Sequence, residues 1–462
     1  MPVRSGASRL SVVGLGKLGS PMAAVFASKG FEVTGVDVSA AHVAALNEGR
    51  APVEEPQLQD LIDASRARLR ATVSFEEAIG QSDISFIIVP TPSGPDHRFS
   101  NEYVIEAVTR IGAVLRRKTG DHLVVVTSTV MPGSTGSVIR DALEQSSGRM
   151  VGRDVGLCYS PEFIALGSVV RDLLRPDMVL IGECNERYGQ QLADVYRATT
   201  DTHPSVQRMS FVSAEICKIA VNTFVTTKIS YANMLSELCE RLDGADVDAI
   251  TTALGADSRI GVKYLTGGVA YGGPCFPRDN KAFAALSRSL GVPCDIADAT
   301  DRINDHQAER LLGAISTVAA PPARIAVLGL SYKLHTPVFE QSQGLALARL
   351  LLAEGYRVTV ADPLAGRAAA AALGAAVEVA DFEHAVAAAD AAVITTAWPD
   401  IALVPVARFV RASGGIPVID PWGLLKNSPI ATVARVVLLG RGGGPTVHHE
   451  GAVAMVHSGT RR

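Results

Sequence analysis

The nine residues Tyr271-Gly-Gly-Pro-Cys-Phe-Pro-Arg-Asp279 hold the residue types that covalent chemistry uses. Cys275 follows a glycine pair that lets backbone and ligand come close, and a carboxylate, Asp279, stands one helical turn later. The pattern predicts a helix over 279–289. A thiol near a helix N-terminus has its thiolate favoured by the partial positive charge there, which makes it a nucleophile. A single cysteine is more often a small buried hydrophobe, so this stretch gains weight only from its company. Part of that company is Lys218 and Asn222, four apart and therefore on one face of a helical run. A lysine on an apolar helix face either snorkels to solvent or is used, and the spacing leaves both readings open.

The elements that must position these groups can be read from apolar runs and glycines. A short buried strand over 10–13 runs into Gly14-x-Gly16-x-x-Gly19, then a helix ending near Lys29-Gly30, then a strand over 31–36 with Asp37 at its end. In a Rossmann unit such glycines permit the tight turn, close approach to a pyrophosphate and close helix–strand packing, and the acid takes the ribose hydroxyls. Asp37 in place of a basic residue points to NAD, and Lys17 and Leu18 lie in the same cofactor-binding turn. Apolar strands over 84–89 and 123–127 end in Pro90-Thr91-Pro92 and Ser128-Thr129. The carboxyl ends of parallel strands are where ligands sit, which places Pro90, Thr91 and Thr129 at the site.

Residues 211–242 contain no Pro or Gly and predict one long helix. After Ala319-Ala-Pro-Pro322 the opening plan returns: Arg324-Ile-Ala-Val-Leu-Gly329 matches the first strand and turn, Tyr356 to Asp362 matches Phe31 to Asp37, and 389–396 matches 81–90. This is an internal duplication. The second copy reads Gly329-Leu-Ser-Tyr-Lys333 in place of the full glycine fingerprint, which suggests a different nucleotide-like ligand with Lys333 near its phosphates.

At 462 residues the chain exceeds one core, so two or three domains are expected. With 47% hydrophobic and 19% charged residues it reads as a globular protein, and no apolar run reaches the roughly 20 residues that cross a bilayer. No apolar segment precedes the first strand, so no signal peptide is expected. The six cysteines form no C-x-x-C pair and have no histidines at zinc spacing, which argues for a reducing cytoplasm and no metal. A net charge of −4 gives no basic excess for nucleic acid. The Gly-rich end reads as a frayed tail with an exposed His448-His449 pair.

Together these pieces resemble the UDP-glucose/GDP-mannose dehydrogenase family over roughly residues 8 to 435. The likeness rests on the first glycine fingerprint, Val89-Pro-Thr-Pro92, Ser128-Thr-Val130, Ser160-Pro-Glu-Phe163 and Pro176-Asp177. It continues in Glu215-x-x-Lys218-x-x-x-Asn222, Thr227-Lys-Ile-Ser230, Asp257-x-Arg259-Ile-Gly261, the Cys275 stretch and Leu328-Gly-Leu-Ser-Tyr-Lys333. The resemblance implies an α/β fold of two Rossmann-like doubly wound domains joined by a long central helix that also builds a homodimer or higher homo-oligomer. The expected division is 1–205 for NAD, 206–318 for the helical dimerisation region with the cysteine loop, 319–440 for the sugar nucleotide, and 441–462 as tail.

The activity implied is a four-electron oxidation of a nucleotide sugar at C6. Cys275 holds the aldehyde as a thiohemiacetal and then a thioester, which Glu162 hydrolyses as base. Lys218 stabilises oxyanions, Asn222 positions the sugar, and Thr129 and Asp279 hold a water. Phe163, Ile164, Leu166, Tyr264, Tyr271, Gly272, Gly273, Tyr332 and Lys333 are expected around the substrate, and Arg259 is expected to reach a neighbouring subunit's ligand. Three positions depart from the family pattern: Leu166 replaces a second glutamate, Glu340 stands where a cation is common, and Asp420-Pro421-Trp422 lacks an arginine. They put the sugar in question. The competing readings are a two-electron 3-hydroxy-acid-type dehydrogenase and a catalytically idle nucleotide-sugar-binding protein.

Overall fold

A computed structural model describes residues 9–374 and 377–442; the His448-His449 pair lies outside them. The chain forms two compact units, one of residues up to Asn222 with Lys281–Pro293, the other of Thr223–Asn280 with the residues from Cys294 onward. The division falls inside two helices, Phe211–Glu240 and Phe276–Ser289.

The first unit is built on eight strands: β1 (Arg9–Val13), β2 (Glu32–Val36), β3 (Leu69–Thr72), β4 (Ile84–Ile87), β5 (Leu123–Val126), β6 (Gly156–Tyr159), β7 (Met178–Glu183) and β8 (Ser205–Met209). Their order is β3-β2-β1-β4-β5-β6-β7-β8, parallel except for the β6–β7 pair. Side chains alternate between faces along each strand. Val12, Phe86 and Val125 therefore enter one apolar core and Val13, Ile87 and Val126 the other. Burial on both faces is why these strands read as unbroken apolar runs. Helix Gly19–Ser28 covers the first face, and Glu102–Leu115 covers the second through Val104, Val108, Ile111 and Leu115.

The second unit repeats the plan. Its strands are β9 (Arg324–Leu328), β10 (Arg357–Ala361), β11 (Val377–Val379), β12 (Ala391–Ile394), a small β13–β14 hairpin (Val410–Arg411 and Gly414–Gly415), β15 (Pro417–Asp420) and β16 (Arg435–Leu438). The sheet order is β11-β10-β9-β12-β15-β16, wholly parallel. The first five strands follow the same order as β3-β2-β1-β4-β5, which is the expected duplication. Helices Val247–Ala256 and Asp295–Ser316 belong to this unit.

Two helix boundaries differ from the sequence reading. The cysteine helix begins at Phe276, three residues earlier than the carboxylate suggested. Pro277 is tolerated because a first-turn N–H has no intrahelical acceptor to lose. The long helix spans Phe211–Glu240, 30 residues or about 45 Å. Among the described residues no helix is long and apolar enough to cross a membrane. No group of three or more His, Cys, Asp or Glu there could hold a metal ion.

Candidate active site

The turn after β1 forms a cradle whose shape is set by its glycines. Gly14 has φ +98°, and a Cβ there would lie 2.1 Å from the Ile88 carbonyl oxygen. A Cβ on Gly19 would meet the Gly14 carbonyl oxygen at 1.8 Å, so helix and strand touch backbone to backbone. Gly16 differs from both: a Cβ there meets nothing within 4 Å. That open space lies at the N-terminus of helix Gly19–Ser28, where a phosphate would approach. Lys17 is exposed beside it and Leu18 half-buried. Asp37 accepts from the Leu15 amide at 2.6 Å and the Ser39 amide at 2.7 Å, which fixes its carboxylate against the turn. Glycine cradle, helix terminus and fixed acid together suit a dinucleotide.

At the ends of β4 and β5, the Ser128 hydroxyl donates to the Val89 carbonyl at 2.7 Å and accepts from the Val89 amide at 2.9 Å. This ties the two strand ends together and places exposed Pro90, buried Thr91 and half-buried Thr129 around them.

Glu162 lies in the loop between β6 and helix Val169–Leu174. The Tyr196 hydroxyl donates to its Oε1 at 2.9 Å, and Lys218 Nζ donates to its main-chain carbonyl at 2.7 Å. The same ammonium sits 4.7 Å from the centre of the Phe163 ring. Desolvation pushes the Glu162 carboxyl up to about 7, against the opposing pull of the Tyr196 hydrogen bond and the Lys218 charge. Lys218 and Asn222 are both buried on the long helix. One turn before Lys218, the buried Glu215 accepts from the Gly133 amide at 2.6 Å and the Thr135 amide at 2.8 Å, which pins the helix to the loop after β5. Ile164 and Leu166 pack against the apolar core of the first sheet. Further along the same loop, Glu55 accepts from the Gly167 and Val169 amides at 2.9 and 2.7 Å.

In the second unit Cys275 is exposed and directly precedes helix Phe276–Ser289, while Asp279 is buried in that helix's first turn. The Asp279 amide donates to the Cys275 carbonyl at 2.8 Å. The preceding glycines are wedged against the loop after β9. The Gly273 amide donates to the Glu340 carbonyl at 3.0 Å. A Cβ on Gly272 would lie 2.3 Å from the Gln341 carbonyl oxygen, and one on Gly273 2.5 Å from the Tyr332 ring. Tyr271, Gly272, Gly273, Tyr332 and Cys275 are thus gathered in one place. Lys333 Nζ lies 6.0 Å from the Tyr332 ring centre. The Tyr271 hydroxyl donates to Asp301 at 2.8 Å, and the exposed Tyr264 meets Phe276 edge-on at 6.2 Å. Arg259 points its guanidinium at Asp257, with Nη2 2.6 Å from the carboxylate. Glu340 is exposed, and Pro421 is buried beside Trp422.

Models of three domains of one family match consecutive parts of the chain: the NAD binding domain over residues 8–200, the central domain over 212–306 and the UDP binding domain over 326–427. The chain belongs to the UDP-glucose/GDP-mannose dehydrogenase family. It is an NAD-dependent nucleotide-sugar dehydrogenase. A UDP-glucose 6-dehydrogenase of Haloferax volcanii is 36% identical over 85% of this chain and 92% of its own. A GDP-mannose 6-dehydrogenase of Pseudomonas putida is 33% identical over 77% and 80%. Among solved structures, a UDP-glucose dehydrogenase from the archaeon Pyrobaculum islandicum superposes with TM-score 0.84 at 34% identity, covering 95% of this chain and 98% of that one. A UDP-D-ManNAc dehydrogenase from Pyrococcus horikoshii gives 0.78 at 25% identity, over 94% and 99%.

Several contacts escape a sequence reading. Tyr196 sits in helix Glu186–Thr199, outside any motif, and reaches Glu162 only through folding. Asp362, the counterpart of Asp37, accepts from the Leu330, Ser331, Leu364 and Ala365 amides and from the Trp398 indole. Its many donors leave it organising the loop. Gly344 packs against Gly329 as Gly19 packs against Gly14, with a Cβ–oxygen distance of 2.2 Å, so the missing third glycine of the second fingerprint lies after a long insertion.

Proposed function

We propose that this dehydrogenase oxidises the C6 alcohol of a UDP-hexose to the acid in two steps at one centre, with Cys275 as the covalent handle. The observation that carries the reading is Cys275 itself, exposed at a helix N-terminus above the buried Asp279. Bound by the Gly14–Gly19 turn and Asp37, NAD would supply the hydride acceptor for each of the two oxidations. Between them, the Cys275 thiolate adds to the aldehyde carbon and the resulting oxygen takes up a proton, giving a thiohemiacetal. Loss of hydride and of that proton leaves the thioester. Glu162 then removes a proton from water, whose oxygen attacks the thioester carbon, and the thiolate leaves as the acid forms. Lys218 stabilises the oxyanions, Asn222 positions the sugar, and Thr129 and Asp279 hold the water.

Phe163, Ile164, Leu166, Tyr264, Tyr271, Gly272, Gly273, Tyr332 and Lys333 line the substrate side in this reading, and Arg259 serves a neighbouring subunit's site in a homodimer. UDP-glucose is the first candidate, supported by UDP-glucose 6-dehydrogenases of Haloferax volcanii and of Bacillus subtilis at 36% and 31% identity. NADH formation over a panel of UDP- and GDP-sugars tests the proposal. The expected result is turnover of a UDP-hexose with two NADH per sugar. One NADH per sugar, or turnover of GDP-mannose alone, contradicts it.

A further inference from the structure

The Tyr196 side chain is almost wholly buried, and its hydroxyl sits between two groups of the same loop. It donates to Glu162 Oε1 at 2.9 Å and lies 3.0 Å from Ser160 Oγ, which also reaches the Leu180 carbonyl at 3.0 Å. This chain ends on a main-chain carbonyl of β7, so it gives a proton no exit to solvent. It can hold the carboxylate but cannot drain it. Glu162 Oε2 takes no hydrogen bond among the described residues. We infer that Tyr196 is a positioning residue for the hydrolytic step: its hydroxyl clamps Oε1 of Glu162 and leaves Oε2 as the oxygen that receives the proton from water. The inference rests on the proposal that Glu162 is the base.

Tyr196 faces the Glu162 carboxylate from helix Glu186–Thr199 and Lys218 from the long helix, while Cys158 on β6 acts on the Tyr196 hydroxyl. Asp172 and Glu55 bind amides further along the loop. The Tyr196 hydrogen bond and the Lys218 charge both favour the ionised carboxylate, and burial opposes them. Removing the phenol therefore favours the protonated acid, and the proton is lost only at higher pH.

Infrared difference spectra of the substrate-free enzyme, taken between about pH 5 and about pH 9, test this directly across the range where a general base works. The carbonyl band of protonated Glu162 is identified by its absence in Glu162→Gln. In Tyr196→Phe that band persists to higher pH, with about fivefold less ionised carboxylate at a pH well below the midpoint, the equivalent of one ordinary hydrogen bond. Ser160→Ala, which removes the group that orients the phenol, shifts it in the same sense by less. A band that titrates as in wild type in both variants overturns the inference. The acid limb of NADH formation from UDP-glucose gives the separate kinetic reading: it moves up in Tyr196→Phe and vanishes in Glu162→Gln. If the limb survives unchanged in Glu162→Gln, Glu162 is not the base, whatever the infrared band shows for Tyr196.

Discussion

Glu162 combines a half-buried position with a carboxyl pushed up to about 7, and that has two consequences at the scale of one residue. As the proposed base it must be ionised to act, so hydrolysis should fall off as the pH drops below about 7, which a pH profile of acid formation checks. For stability the sign is the reverse. The folded pKa lies above the ordinary value of 4.5, so the native state holds its proton more tightly than the unfolded chain does. That contribution is fully present below pH 4.5 and is lost as the pH rises through about 7. Glu162→Gln removes the dependence, and urea titrations should show wild type losing on the order of 3 kcal/mol relative to the variant between acid and alkaline pH. A constant difference between the two proteins contradicts the assignment. Cys275→Ser puts a smaller hydroxyl in place of the thiol and so removes the thiolate. It should bind NAD as wild type does, measured by calorimetry, and form no acid.

Among elements, the glycine turn allows folding and binding to be separated. Gly19→Ala places a methyl 1.8 Å from a carbonyl oxygen and should lower the melting temperature by several degrees, because neither backbone can move away freely. Gly16→Ala meets no protein atom within 4 Å, so it should melt as wild type does while NAD affinity falls by at least about tenfold. Equal effects of the two substitutions would contradict the cradle reading. Glu215→Gln leaves the carboxylate-held loop after β5 with one acceptor where it had two, and denaturation should report a loss of about 1–3 kcal/mol. The elements themselves were legible in the sequence because β1, β4 and β5 are buried on both faces and the turn is spelled in glycines. The start of the cysteine helix was not, since a proline at its second position reads as a breaker although the first turn accepts it. Tyr196 was also out of reach, because its partner Glu162 is brought to it by packing between segments 34 residues apart and no local spacing records the pair.

On the scale of the whole molecule, the long helix carries an uncovered stripe. Phe224, Tyr231 and Leu238 follow at intervals of seven and are 68%, 46% and 54% exposed, with Met234 and Leu242 beside them. A monomer seldom leaves such a row to solvent. The homodimer proposed above would cover it, and Phe224→Asp with Tyr231→Asp should halve the mass seen by light scattering. An unchanged mass would place the interface elsewhere. In the proposed mechanism one sulfur keeps the same carbon in place through both oxidations. Its most direct test is rapid quench of Glu162→Gln with NAD and UDP-glucose, followed by mass spectrometry of the Cys275 peptide. Two NADH should form per active site, with an acyl group of the sugar nucleotide retained on Cys275; a single NADH with an unmodified Cys275 peptide would rule the covalent route out.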